Sequence, residues 1–129
     1  MISLGTPHNV ADRPRLAPIT RVNELFPGAL HAQAGLRYLS VAGSAADGTT
    51  SPGARKRYER FVEDGRMAGD GVVPVEAALL PGSESLVVDG VHHNRRLGRW
   101  YGSDSETVER WWPQVLRVGG SLVGDAPRA

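Results

Sequence analysis

The sequence predicts an α/β protein: a partial doubly wound parallel sheet of about three strands with flanking helices. Three observations support this. Short runs rich in apolar and β-forming residues recur at 1–4, 36–42 and 84–89. Segments with helical spacing of apolar residues lie between and after them. Strands that alternate with helices pair in parallel, because a parallel connection needs a crossover of a dozen or more residues.

Met1-Ile2-Ser3-Leu4 reads as a short strand that stops at Gly5-Thr6-Pro7. Residues 9–35 hold Pro14, Pro18 and Pro27 among mixed polarity, which suits a loop with a short helix near 19–26. Residues 36–42 alternate and are rich in β-formers, so a strand closed by Gly43 is expected. Residues 44–53 read as loop. In 54–64 the side chains of Tyr58, Phe61 and Val62 share one helical face, and Gly65 suits a C-terminal cap. Gly69-Asp70-Gly71 is a tight turn, and 75–80 suits a short buried helix ended by Pro81-Gly82. Residues 84–89 form the second convincing internal strand, closed by Gly90. Residues 92–102 are a loop with two histidines and three arginines. Ser103-Asp104-Ser105-Glu106 has the pattern of a capping box, Ser103 at the cap and Glu106 reaching back. It is expected to open a helix to about Val118, with Val108, Trp111, Trp112, Val115 and Leu116 as its packed side. Gly119-Gly120 stops that helix. One domain is expected over 1–123, with 124–129 a disordered tail.

Composition excludes more than it selects. With 15 Lys+Arg against 14 Asp+Glu among 129 residues, net charge is +1, too weak to point to nucleic acid or an anionic surface. Arg55-Lys56-Arg57 and Arg95-Arg96 are flanked by turn formers and read as solvated surface. The chain has no cysteine, which rules out disulfides, thiolate ligands and a cysteine nucleophile. No apolar run approaches the roughly 20 residues of a membrane span, so no transmembrane segment is expected. No charged-then-apolar leader opens the chain, but any targeting segment upstream would be missing, so the compartment is left unknown with the cytoplasm as the default. Walker, dinucleotide and zinc-protease motifs are missing, so no cofactor and no metal are expected.

The chemistry gathers around one acid and one histidine. Asp70 stands between glycines on a turn that leaves an apolar run, a placement able to project a carboxylate from a sheet edge. His92 and His93 lie three and four residues beyond Asp89, where the strand at 84–89 ends. Catalytic groups in open α/β sheets collect beyond strand C-termini, and an imidazole there can act as a general base. His8 also follows a strand end and is expected to be structural or to line a pocket; His31 has no context. The order acid-then-histidine, 23 residues apart, is that of the α/β-hydrolase triad.

At these residues the chain resembles a known family. Ile-Ser-Leu-Gly-Thr-Pro-His at 2–8 looks like the sixth strand of an α/β-hydrolase lipase or esterase and its following turn. Gly-Asp-Gly-Val-Val-Pro-Val-Glu at 69–76 resembles the acid-bearing loop. Gly-Val-His-His at 90–93, with Trp-Tyr-Gly-Ser at 100–103, resembles the histidine loop. Together they are similar to the esterase/lipase branch related to the GPI inositol-deacylase lipases. The resemblance implies an α/β-hydrolase fold, Asp70 as triad acid and His93 as general base, with His92 as the alternative. The expected substrates are carboxylic esters, lipid esters among them.

One departure is decisive. There is no Gly-x-Ser-x-Gly elbow and no oxyanion loop. Ser44, in Val-Ala-Gly-Ser-Ala, lacks the second glycine, and Ser121, after Gly119-Gly120, follows a helix near the tail. The expectation is therefore a C-terminal part of a serine hydrolase, without its first strands and its nucleophile, inactive alone. The alternative is a non-enzymatic interaction module, or one subunit of a split enzyme, pairing through a sheet edge at 1–4 with a second copy or with the missing half.

Overall fold

The computed structural model describes residues 1–112. The expected helix beyond that point, its Gly119-Gly120 stop, Ser121 and the tail lie outside the described residues. In chain order the elements are β1 (Ile2–Leu4), α1 (Ala17–Leu25), β2 (Leu39–Ser44), β3 (Ala46–Asp47), α2 (Pro52–Tyr58), β4 (Ala68–Gly69), α3 (Val75–Ala78) and β5 (Glu84–Asp89). Residues 105–112 form a further helix, α4.

The architecture is α/β. Three strands, the three expected from sequence, pair in parallel in the order β1-β2-β5. Ile2 and Glu84 flank Leu39, and Ser44 pairs with Asp89 at the C-terminal end. Side chains alternate across a strand, so each face of β2 feeds a different core. Leu39 and Val41 pack with Val88, Val91, Tyr101 and Trp111. Ala42 packs with Ala54 and Tyr58 of α2, Ala77 and Ala78 of α3, Val62 and Val73. Both sheet faces are thus covered, as parallel sheets require. β3 and β4 make a small antiparallel ribbon, Ala46 opposite Gly69.

Several boundaries differ from expectation, each for a local reason. β2 starts three residues later than expected and runs through Gly43 to Ser44. Gly43 does not close the strand; it admits close neighbours. A Cβ there would lie 2.3 Å from the Val91 carbonyl oxygen and 3.0 Å from the Asp70 Cβ. The expected loop after β2 contains β3. α2 begins earlier, because Ser51 Oγ accepts from Ala54 N and Pro52 sits in the first turn. It ends at Tyr58, well before residue 64. Beyond it, the Glu59 and Val62 carbonyls accept from the Arg13 guanidinium and the Phe61 carbonyl accepts from Ala11 N. The cap of α4 is Asp104, not Ser103: Asp104 Oδ1 accepts from Thr107 N at 2.7 Å, while Ser103 Oγ accepts from Trp100 N. Of the two tryptophans, Trp111 is buried and donates to the Tyr101 carbonyl, whereas Trp112 is 43% exposed, so only one is core.

Candidate active site

β4 ends at Gly69, and the chain turns back at once, closed by Asp70 N donating to the Val73 carbonyl. The Asp70 side chain caps its own turn: Oδ1 accepts from Val72 N at 3.0 Å and from Val73 N at 2.8 Å. From α2, Tyr58 Oη accepts from Gly71 N and the Arg57 guanidinium donates to the Gly71 carbonyl. The turn is therefore held from inside and from the neighbouring helix. Its carboxylate is 1% exposed.

The other oxygen faces two side chains. Asp70 Oδ2 accepts from His93 Nδ1 at 2.8 Å and from Tyr101 Oη at 3.0 Å. All four partners of the carboxylate donate, as an acceptor-only group requires. The backbone repeats the link, since His93 N donates to the Asp70 carbonyl at 2.8 Å. The cluster lies at the C-terminal edge of the parallel sheet, where Gly5 follows β1, Gly43 nears the end of β2 and Val91 follows β5. This is the edge at which open α/β sheets present their chemistry.

The structure thus brings Asp70 and His93 together and leaves His92 apart. The His92 ring packs on Gly98, its backbone N donates to the Arg99 carbonyl, and its Nδ1 is buried without a partner among the described residues. It makes no hydrogen bond to Asp70. The His93 side chain is 34% exposed. The bond to Asp70 raises its pKa above the ordinary 6.5, prevailing over the opposing effect of burial. With Nδ1 committed to the carboxylate, Nε2 has no hydrogen-bond partner among the described residues and is the nitrogen left to exchange a proton.

The other candidates sit elsewhere. Ser44 Oγ donates to Asp89 Oδ1 at 3.2 Å. Ser3 Oγ pairs with His8 Nε2 at 2.9 Å. His8 lines a cavity of about 490 Å3 with Asn9, Asn23, Pro27 and Leu80, and burial lowers its pKa. His31 is exposed. Sequence reasoning missed Tyr101, although it lies inside the Trp-Tyr-Gly-Ser segment at 100–103. A tyrosine close after a histidine loop is a weak signal, and nothing in the pattern shows its hydroxyl reaching the acid.

Among the described residues no group of three or more His, Asp or Glu side chains is arranged to hold a metal ion, and no helix is long and apolar enough to cross a membrane. No protein-family model, curated protein or solved structure matches the chain.

Proposed function

We propose that this chain supplies the acid and the histidine of a serine-type carboxylic ester hydrolase of the α/β-hydrolase kind. The observation behind this reading is the 2.8 Å contact between His93 Nδ1 and the buried Asp70 carboxylate at the C-terminal edge of a parallel sheet. His93 Nε2 takes the proton from a serine hydroxyl as that oxygen attacks the ester carbonyl, then returns it to the leaving alcohol. Asp70 orients the ring and stabilises the imidazolium formed in between. The described residues place no hydroxyl in hydrogen bond with His93 Nε2, so the nucleophile comes from outside them.

Ester turnover tests the reading. Alone, the chain leaves p-nitrophenyl butyrate at the buffer rate. Paired with a segment bearing a Gly-x-Ser-x-Gly elbow, it hydrolyses the ester, and Asp70→Asn or His93→Gln each lowers the rate by roughly 1000-fold or more. Turnover indifferent to both substitutions overturns the reading.

A second reading is favoured by a different observation. Among the described residues β1 pairs with β2 alone, which leaves its other edge with unpaired backbone groups. Such an edge accepts a strand from a second copy or from another chain. In that reading the module binds without catalysis. Sedimentation velocity separates the two: association abolished by proline at Leu4, whose N–H faces away from β2 because Met1, Ser3 and Gly5 are the residues turned toward it, with Asp70 and His93 irrelevant to it, supports the module.

A further inference from the structure

We infer that Tyr101 is a positioning residue for the Asp70–His93 pair: its phenol holds the carboxylate oxygen that faces His93 and ties it to the sheet at Gly43. The inference rests on the acid–histidine reading above and adds a third side chain to it.

The phenol is 3% exposed. It donates to Asp70 Oδ2 at 3.0 Å and accepts from Gly43 N at 2.8 Å, so both its donor and one acceptor site are used. Its own backbone is pinned, because Trp111 Nε1 donates to the Tyr101 carbonyl. Gly5 closes the junction from the β1 side. Its φ is +58°, and a Cβ there would lie 2.6 Å from Asp70 Oδ2 and 2.7 Å from Tyr101 Oη. Neither the carboxylate nor the phenol has room to swing toward β1. Burial and the neighbouring carboxylate push the Tyr101 pKa up, which keeps the phenol a donor.

The consequence is electrostatic. Two donors share one oxygen, and the phenol draws off part of the charge that would otherwise face His93 Nδ1. Tyr101 thereby moderates the basicity of His93 while fixing where Oδ2 points. The other ionisable groups at this junction are Tyr58 and Arg57, both engaged with Gly71, and the adjacent His92; β1 and β2 present glycines.

The experiment is an NMR titration of His93 in the full chain, which needs neither an ester nor a nucleophile. Tyr101→Phe keeps the ring and removes the donor, so the His93 pKa is expected to rise further. Tyr38→Phe, which removes a phenol whose hydroxyl accepts from His31 N and has no part in holding the Asp70 turn, leaves the His93 pKa unchanged. An unchanged or lowered His93 pKa in Tyr101→Phe overturns the inference, as does an equal rise in Tyr38→Phe. If Tyr101→Phe fails to fold, the unmutated chain decides. The 13Cζ signal of Tyr101 should then move with the same midpoint as His93, and a flat signal through that midpoint overturns the inference. Asp70→Asn is the separate control on the pair: if it does not lower the His93 pKa, the acid–histidine reading fails, whatever Tyr101 does.

Discussion

His8 and His93 occupy matching places, each four residues past the end of a parallel strand, β1 and β5. Both rings are partly buried, and each has one nitrogen hydrogen-bonded at close range, 2.9 Å for His8 and 2.8 Å for His93. Their pKa values nonetheless move in opposite directions. His8 meets the neutral hydroxyl of Ser3, so burial acts unopposed and lowers its pKa. His93 meets a carboxylate, which outweighs burial and raises it. The charge of the partner, not the depth of the ring, sets the sign. Of these two histidines past strand ends, only the one to which the fold brings an acid has a raised pKa.

The strongest way to break this contrast is to remove the acid. Asp70→Ala strips acceptors from the buried Val73 N and Tyr101 Oη as well as from His93 and Val72 N. The loss is expected to be about 3–5 kcal/mol by urea unfolding, since each buried donor left unpaired costs roughly 1–3 kcal/mol. Where the fold survives, as in Asp70→Asn, the His93 pKa should fall below 6.5, because burial then acts alone as it does on His8. A His93 pKa that stays raised breaks the comparison.

The pH dependence of stability sharpens it. His93 has its folded pKa above the unfolded 6.5, so its contribution is fully present below 6.5 and is lost as pH rises through the folded value. His8 has its folded pKa below 6.5, so stability falls as pH drops from 6.5 through the folded value. Two variants read this out by urea unfolding between about pH 5 and pH 8. His93→Gln should remove the loss of stability as pH rises above 6.5, and His8→Gln should remove the loss as pH drops below 6.5. Parallel profiles for the two variants would contradict the assigned directions.

The smallest effect belongs to the β1 site. Ser3→Ala removes one neutral hydrogen bond and should cost about 1 kcal/mol or less. The His93 titration should not move. A displaced His93 midpoint in this variant would show that the two strand ends are coupled, which the separate partners argue against.

Much of this was legible from the residue order. β5 was readable end to end, because 84–89 is a β-rich run between turn formers. The α/β class followed from alternation, and Asp70 with the adjacent pair His92 and His93 from a turn and a strand end in acid-then-histidine order, the preference for His93 resting on the resemblance alone. The misreadings share a cause. Gly43 looked like a strand terminator because isolated glycines usually interrupt strands; here it lets β2 pass against Val91 and Asp70. Ser103 looked like a cap because the box pattern fits it, but Asp104 reaches Thr107 N instead.

Local chemistry therefore determined, from sequence alone, which segments form the parallel strands, which turn carries an acid and which loop carries histidines, since these depend on neighbours along the chain; the short β3–β4 ribbon was not among them. Tertiary structure alone decided that His93 rather than His92 meets Asp70, and that Tyr101 shares the same oxygen. Those choices rest on where three strand ends converge at one sheet edge, and contacts between residues 43, 70, 93 and 101 are set by packing across the fold, not by spacing along it.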